Sequence, residues 1–186
     1  MKVFGFAGSG SAEQATLIER VIPRLVDGGL RVSLIRHTEH DVHLAQPEND
    51  SWGGGRAGCG EVLVSSRKRV ALMRELRDTR EPDLDGLVGM LAPCDLVLVE
   101  GYRHAPLPKM EVRRSARPGP AQHLTDPWVV AVASDRDEDT HLRTFGLDDY
   151  EAIAGFICRY LALPRARRRR PGRAREKSGG NTGTGV

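Results

Sequence analysis

No stretch of this sequence approaches the roughly 20 consecutive apolar residues that a membrane-spanning helix needs, so a protein threaded through a bilayer by helices is not expected. The opening run Lys2-Val3-Phe4-Gly5-Phe6 is too short for the apolar stretch of a signal peptide, and no small-residue cleavage site follows it. A cytoplasmic location is therefore expected. Cysteine is scarce: Cys59, Cys94 and Cys158 are odd in number, far apart and without a Cys-x-x-Cys pair. That pattern argues against a disulfide framework, a zinc finger or a dithiol redox centre, and Cys94 and Cys158, which lie in apolar segments, read as buried thiols. Aromatic residues make up only 5% of the chain, and none is interleaved with the arginines near the C-terminus. A base-stacking nucleic-acid surface is not favoured on that pattern.

What charge there is lies unevenly. Eight basic residues between Arg165 and Lys177, against Glu176, contribute +7 to a total of only +3, so the rest of the chain is acidic. The basic balance describes the tail and not the fold. Residues 164–186 end in Gly, Ser, Thr and Asn, a composition that buries too little apolar surface to offset its ordering entropy, and are expected to be a disordered basic tail. Such an arginine cluster can also bind phosphates or an acidic partner, although a solvated tail is the simpler reading. Residues 1–163 suit a single domain with one core.

Within that domain, short apolar runs alternate with stretches of helical periodicity. Residues 3–7 read as a buried strand, and Leu17, Ile18, Val21, Ile22, Leu25 and Val26 recur at helical spacing. Gly28-Gly29 stops that helix, Pro23 is expected to kink it, and residues 31–36 (RVSLIR) form a second strand, making a parallel βαβ unit. Further on, residues 61–65 read as a third strand, 69–76 as a short amphipathic helix and 84–91 as another. Residues 95–99 (DLVLV) form a continuous aliphatic central strand, 109–113 an alternating edge strand, 128–133 a buried strand and 147–161 a closing helix. The order predicts an α/β fold: an open, mostly parallel sheet with helices on both faces.

Ligands in such sheets sit beyond the strands' carboxyl ends, which directs attention to residues 8–16. A working phosphate loop has the form G-x-x-x-x-G-K-[ST], with amides around the phosphates, a lysine reaching the outer ones and a hydroxyl on Mg²⁺. Here Gly8 fits the first glycine, but Glu13, Gln14 and Ala15 stand at the second glycine, the lysine and the hydroxyl. Glu13 brings a carboxylate where a triphosphate would bring its own negative charge, and the cation that neutralises developing charge is missing. Thr16 and the amides from Ser9 through Gly10 and Ser11 to Ala12 remain as anion contacts, so weak anion binding and an ordinary βα turn are both consistent with the loop.

Several blocks together resemble the molybdopterin-guanine dinucleotide biosynthesis adaptor family, MobB. GFAG and TLIERVIP flank the altered loop in residues 3–23, and RVSLIRHTEHD in residues 31–41 continues through Gln46-Pro47, Asp50-Ser51-Trp52 and Ala57-Gly58. VALM and REL, DLVLVEGYR in residues 95–103, PKMEV in residues 108–112 and VVAVASD in residues 129–135 follow in order, so the resemblance covers residues 1–162. It implies a P-loop-NTPase-like fold and an adaptor that assists a molybdenum cofactor guanylyltransferase, with contact to molybdopterin. It also implies a homodimer, and GTP with Mg²⁺ as ligand. Catalysis would belong mainly to the partner.

By the same resemblance Gly8, Ser9, Gly10, Ser11, Gln14, Ala15, Thr16, His37 and Asp135 would contact the nucleotide, and Thr16 and Glu100 the Mg²⁺. Each also has a plainer reading. Glu100 can be an exposed strand-end carboxylate, and Asp135 a strand-end or capping residue in place of an acceptor for the N1 and N2 donors of guanine. His37, Glu39, His40, Asp41 and His43 suit either a metal or a solvated loop, though Glu39 stands where the family usually has histidine. Asp50-Ser51 resembles a helix N-cap pair, but Gly53-Gly54-Gly55 would fray the helix that follows. Arg103 and Lys109 are candidate cations for an anionic pterin or nucleotide. Two other functions fit the same residues: a GTPase-like metallochaperone using residues 37–43, and a non-enzymatic scaffold.

Overall fold

A computed structural model describes residues 1–8, 11–37, 61–74, 76, 80–116 and 119–164. The expected basic tail lies outside these residues apart from Pro164, and so do Cys59, the glycine run at 53–55 and most of the histidine-rich stretch. The chain runs β1 (Lys2–Gly8), α1 (Ser11–Asp27), β2 (Val32–Arg36), β3 (Glu61–Ser65), β4 (Val70–Arg74), α2 (Leu84–Gly89) and β5 (Leu96–Glu100). It continues with β6 (Lys109–Arg113), a 3-10 turn (Gln122–Leu124), β7 (Val129–Ser134), β8 (Arg143–Gly146) and α3 (Tyr150–Tyr160). Six strands form one sheet in the order β2-β5-β1-β6-β7-β8, with every pairing parallel. This is the open α/β architecture that the alternating pattern predicts.

Strand alternation divides the apolar residues between two faces. Phe4 and Phe6 of β1, Leu96 and Leu98 of β5, Met110 and Val112 of β6 and Ala131 and Ala133 of β7 all join one core cluster. The same cluster takes Leu17, Ile18, Val21 and Leu25 from α1, at the spacing of one helical face, and Ile153 and Ile157 from α3. Phe145 reaches in from β8, its ring 5.4 Å from that of Phe156. The first helix runs continuously through Pro23 and ends before Gly28, where the Leu30 amide donates to the Leu25 carbonyl at 3.2 Å.

The opposite face carries the segment 101–107 and the 3-10 turn, with α2 alongside across a cavity, and here β6 departs from expectation. It is an internal strand between β1 and β7, with Lys109 and Glu111 1% and 2% exposed. Alternation between apolar and charged residues suggests an edge, but both charges are neutralised inside the protein. The Lys109 ammonium donates to the carbonyls of Arg103 (2.9 Å) and Ala105 (2.8 Å) and to the Asp126 carboxylate (2.9 Å), using all three of its protons. Glu111 accepts from the amides of Gln122 (2.8 Å) and His123 (2.9 Å), from Arg113 (2.9 Å) and from the His123 ring (2.6 Å). Arg113 in turn reaches Glu138 at 3.0 Å.

Two further elements differ from the sequence reading. Residues 61–65 do form a strand, but it pairs antiparallel with β4 in a separate two-stranded sheet and not in the main one. Residues 69–76, expected as a helix, contain that partner strand. The reason is local: the Ser66 hydroxyl oxygen accepts from the amides of Lys68 and Arg69, and the Ser66 amide donates to the Arg69 carbonyl at 2.8 Å, closing a tight hairpin turn. Strand β8, unassigned from sequence, forms the far edge of the main sheet. Cys94 and Cys158 are half-buried thiols, not the fully enclosed ones expected.

The buried charges around β6 make stability depend on pH. Burial alone would raise the carboxyls of Glu111, Asp126 and Glu138, but hydrogen bonds outweigh it, from amides and cations at Glu111 and Asp126 and from the Ser134 hydroxyl and two arginines at Glu138, and hold all three below their ordinary values. Groups depressed in the folded state stabilise it fully above their unfolded values and lose that contribution as pH falls through the folded ones. Urea midpoints are expected to be flat near neutrality and to fall steadily below about pH 4, less steeply in Glu111→Gln. A midpoint unchanged down to pH 3 would contradict this account. Asp126→Ala, which removes the only carboxylate paired with Lys109 among the described residues, should cost about 3 kcal/mol in the same assay at neutral pH. A cost under about 1 kcal/mol would place Lys109 in solvent instead.

Candidate functional site

All six parallel strands end on the same rim, and the chain reverses its direction of travel at β1. From β1 it crosses to β2 on one side, whereas from β5 it crosses to β6 on the other. The resulting crevice lies between the ends of β1, β5 and β6, where loops and the start of α1 converge. Gly8 is fixed there by a close approach. Its φ is +152°, and a Cβ on it would sit 2.2 Å from the Val112 carbonyl oxygen, so only glycine fits.

The loop closes on itself. Gln14, at the lysine position of a phosphate loop, is 5% exposed and donates from Nε2 to the Gly8 carbonyl at 3.1 Å. Its amide is thereby committed to the turn. Thr16 is exposed, and its hydroxyl donates back to the Ala12 carbonyl at 2.9 Å, a bond inside the helix. Ala15 has no polar side-chain atom, and Ser9 and Gly10 lie outside the described residues. Ser11 opens α1. Beside the first turns of α1 is a cavity of about 200 Å³ lined by Glu13, Thr16, Arg114 and Tyr150, among others. That is below the roughly 300 Å³ at which small-ligand pockets usually begin.

Glu100 closes β5, opposite Phe6 on β1 and Arg36 on β2. It is 5% exposed and ion-paired with the Arg36 guanidinium, which also approaches Glu19 of α1 at 3.7 Å. The carboxylate expected beside Mg²⁺ is thus already neutralised by an arginine. Sequence reading missed this partner, although Arg36 ends β2 in the same register in which Glu100 ends β5.

His37 follows Arg36 and donates its amide to the Glu100 carbonyl at 3.0 Å. Its Nε2 lies 3.1 Å from Glu81, and its ring centroid is 4.8 Å from that of Tyr102. Gly101, at φ +90°, keeps its Cα bare beside His37, where a Cβ would come within 3.0 Å of the histidine Cβ. Glu81 and Tyr102 were invisible as site residues from sequence, because nothing in their spacing links them to His37. His40, Asp41 and His43 lie outside the described residues, and among the described ones no group of three metal-ligating side chains occurs.

Asp135, just past β7, uses both oxygens on one neighbour. Oδ1 accepts from the Ser115 amide at 2.8 Å and Oδ2 from the Ser115 hydroxyl at 2.9 Å. These donors, the amide first, hold its carboxyl below the usual range, and they tie the loop after β6 to the end of β7. Of the two candidate cations for an anionic ligand, Lys109 has no proton left to offer. Arg103 is exposed.

Chemically, then, the rim offers a glycine-tight turn and a helix start, but no ammonium in the loop and no unpaired carboxylate at Glu100. These residues do not fit a firmly held Mg-triphosphate. Among the described residues no helix is long and apolar enough to cross a membrane.

Comparison with known proteins places this geometry in a family. The profile of "Molybdopterin guanine dinucleotide synthesis protein B" matches residues 1–135. A molybdopterin-guanine dinucleotide biosynthesis adapter protein from Escherichia coli (strain K12) is 33% identical over 162 residues, 86% of this chain and 93% of the relative. The protein of the same description from Haemophilus influenzae is also 33% identical, over 86% of this chain and 87% of its own length. A crystal structure of molybdopterin-guanine biosynthesis protein B superposes with a TM-score of 0.67 at 26% identity, covering 86% of this chain and 99% of that one. With a turn built on Gly8, a strand ending in Glu100 and this strand order in common reach, the chain belongs to the molybdopterin guanine dinucleotide synthesis protein B family.

Proposed function

We propose that this protein is an adapter in the synthesis of the guanine dinucleotide form of the molybdenum cofactor, working beside a guanylyltransferase that carries the chemistry. The observation that carries the reading is the match of residues 1–135 to the family, supported by relatives named as adapters over 86% of the chain. Partner enzymes follow from an adapter's role, and contact with molybdopterin belongs to the same reading. The proposed location is the cytoplasm. The ligand proposed is GTP with Mg²⁺, held weakly at the α1 start and hydrolysed poorly or not at all. Three features support weak binding: Gln14 spends its amide on Gly8, Glu13 adds a carboxylate, and Arg36 competes with any cation for Glu100.

Homodimerisation belongs to the proposal as well. Leu63, Val70 and Leu72 on the β3–β4 hairpin and Met90 after α2 are 64%, 65%, 53% and 59% exposed. Large side chains gathered like this on one part of a surface are what a second copy can cover. Leu63→Lys combined with Leu72→Lys should convert the sedimenting species to monomer. A natural chain that already sediments as a monomer would remove this part of the reading.

Calorimetric titration with GTP, with and without Mg²⁺, tests the loop on the natural chain and on the triple variant Glu13→Gly, Gln14→Lys, Ala15→Thr. The variant should bind at least about 100-fold more tightly, the scale expected when a desolvated ammonium-phosphate contact is restored and a like-charge contact is removed. Equal micromolar binding and comparable hydrolysis by the natural chain would overturn the account of the loop. Capture of a guanylyltransferase by the natural chain but not by unrelated P-loop proteins tests the adapter role separately.

A further inference from the structure

Two cavities beside the main sheet share a wall. The larger, about 830 Å³, lies on the face opposite α1 and α3 and reaches Val3 and Leu107; the smaller, about 540 Å³, reaches Leu72 of the β3–β4 hairpin. His37 and Tyr102 line both. The segment that contains α2 stands between them, with Leu84 and Val88 toward the larger cavity and Leu87 and Met90 toward the smaller.

This segment is seated on the fold by very little. No residue of α2 is buried, and two of its six residues are glycines, the least favourable helix residues after proline. A helix that short has no stability of its own. Most of the hydrogen bonds of residues 81–91 are spent internally: Asp83 caps the Gly86 amide at 2.8 Å, and the Leu87, Met90 and Leu91 amides donate to the carbonyls of Asp83, Leu87 and Val88. Among the described residues, the polar links from this segment to the rest of the protein are both made by Glu81. Its carboxylate lies 3.1 Å from His37 Nε2 and accepts from the Tyr102 hydroxyl at 3.4 Å. Glu81 is 56% exposed at its side chain, so water competes for both contacts and each is weak.

What Glu81 grips is, by contrast, fixed. His37 is tied to β5 through its amide, and the Tyr102 carbonyl accepts from the Ala105 amide at 2.9 Å in the loop that Lys109 holds. Tyr102 keeps φ at +47°, a conformation that L-residues adopt at a cost, with its ring against His37. Downstream of α2 the chain is firm again at Asp95, which accepts from the Arg31 amide at 2.8 Å and from its guanidinium at 3.1 Å. A lightly held element thus spans a rigid frame, with one carboxylate as its fastening.

We infer that residues 81–91 form a strap that opens as a unit, that Glu81 is its latch on the His37–Tyr102 pair, and that opening joins the two cavities into one groove. Leu84, Leu87, Val88 and Met90 leave with the strap, and the His37 and Tyr102 rings stay behind in the groove wall. Elements that open independently come from the low end of a protein's stability range, and this one has the features of that class: no buried side chain, a short glycine-containing helix and exposed fastenings. The inference stands apart from the adapter reading and from nucleotide binding at the α1 start.

Native-state hydrogen exchange on the intact protein tests it, read at the amides of Leu87, Met90 and Leu91 in the strap and of Leu98 and Val99 in β5. Strap amides should be protected at least about 100-fold less than those of β5. Their exchange should also be insensitive to low urea, because opening the strap exposes little surface, whereas exchange in β5 should rise steeply. Glu81→Ala should lower strap protection about threefold, the scale of exposed carboxylate contacts. Gly89→Ala, where an added Cβ meets nothing within 4 Å, should raise it about fivefold. Strap amides that share the protection and urea dependence of β5 would overturn the inference, as would strap protection indifferent to Glu81→Ala or to Gly89→Ala. The two substitutions act in opposite directions, so a general loss of stability cannot imitate the expected pair of results.

Discussion

The second face of this sheet is organised by charges carried into it on a single interior strand. Lys109 and Glu111 point the same way from β6, and each finds its full complement of partners in the loops that lie over that face. The ammonium draws segment 101–107 and Asp126 together, and the carboxylate draws in the 3-10 turn and Arg113. Replacing such a set with aliphatic residues can leave a fold equally stable, so its value lies in orientation. Apolar packing would tolerate several loop placements, whereas three hydrogen bonds from one ammonium tolerate one.

The first face follows a different logic. There α1 and α3 bury a continuous aromatic and aliphatic layer, and polar atoms appear only at the rim. At that rim Gly8 and the start of α1 flank the turn after β1, and the Gln14 side chain folds back onto the Gly8 carbonyl. Gln14 substitutes a neutral internal hydrogen bond for an outward-reaching cation, and Arg36 with Glu100 forms a closed pair. The fold of an NTPase and the chemistry of one are thus separable: strand order fixes where the crevice lies, and only a handful of side chains decide what it can grip.

Much of this was legible in the linear chain, and the exceptions have identifiable causes. The βαβ opening, the aliphatic central strand at DLVLV and the final helix were readable, because burial on both faces or on one helical face leaves a periodic trace. Strand β6 was misplaced to an edge because alternation reports charge but not whether that charge has a buried partner, here supplied from residues 103–126. The hairpin strand at Val70 to Arg74 read as helix because five residues of mixed aliphatic and basic character fit either period, and the turn at Ser66 decided the matter. Gly8, Gln14, Glu100 and Asp135, singled out from sequence, lie at or beside the carboxyl ends of β1, β5 and β7. Their partners, Arg36, Glu81, Tyr102 and Ser115, were not singled out, since long-range pairing leaves no mark on local spacing.

The position of β1 in the strand order has a consequence for how the chain is made. It is synthesised before the other strands of its sheet, and both of its hydrogen-bonded neighbours, β5 and β6, follow about 90 to 110 residues later, a delay of roughly 5–20 s at ordinary rates of translation. Throughout that interval the described core residues already made around Phe4 and Phe6 come from α1, Leu30 and β2, and the strand lacks the neighbours that pair with both its edges. A central strand born without neighbours is a natural client for holding chaperones, and slower synthesis lengthens its exposure to other nascent chains.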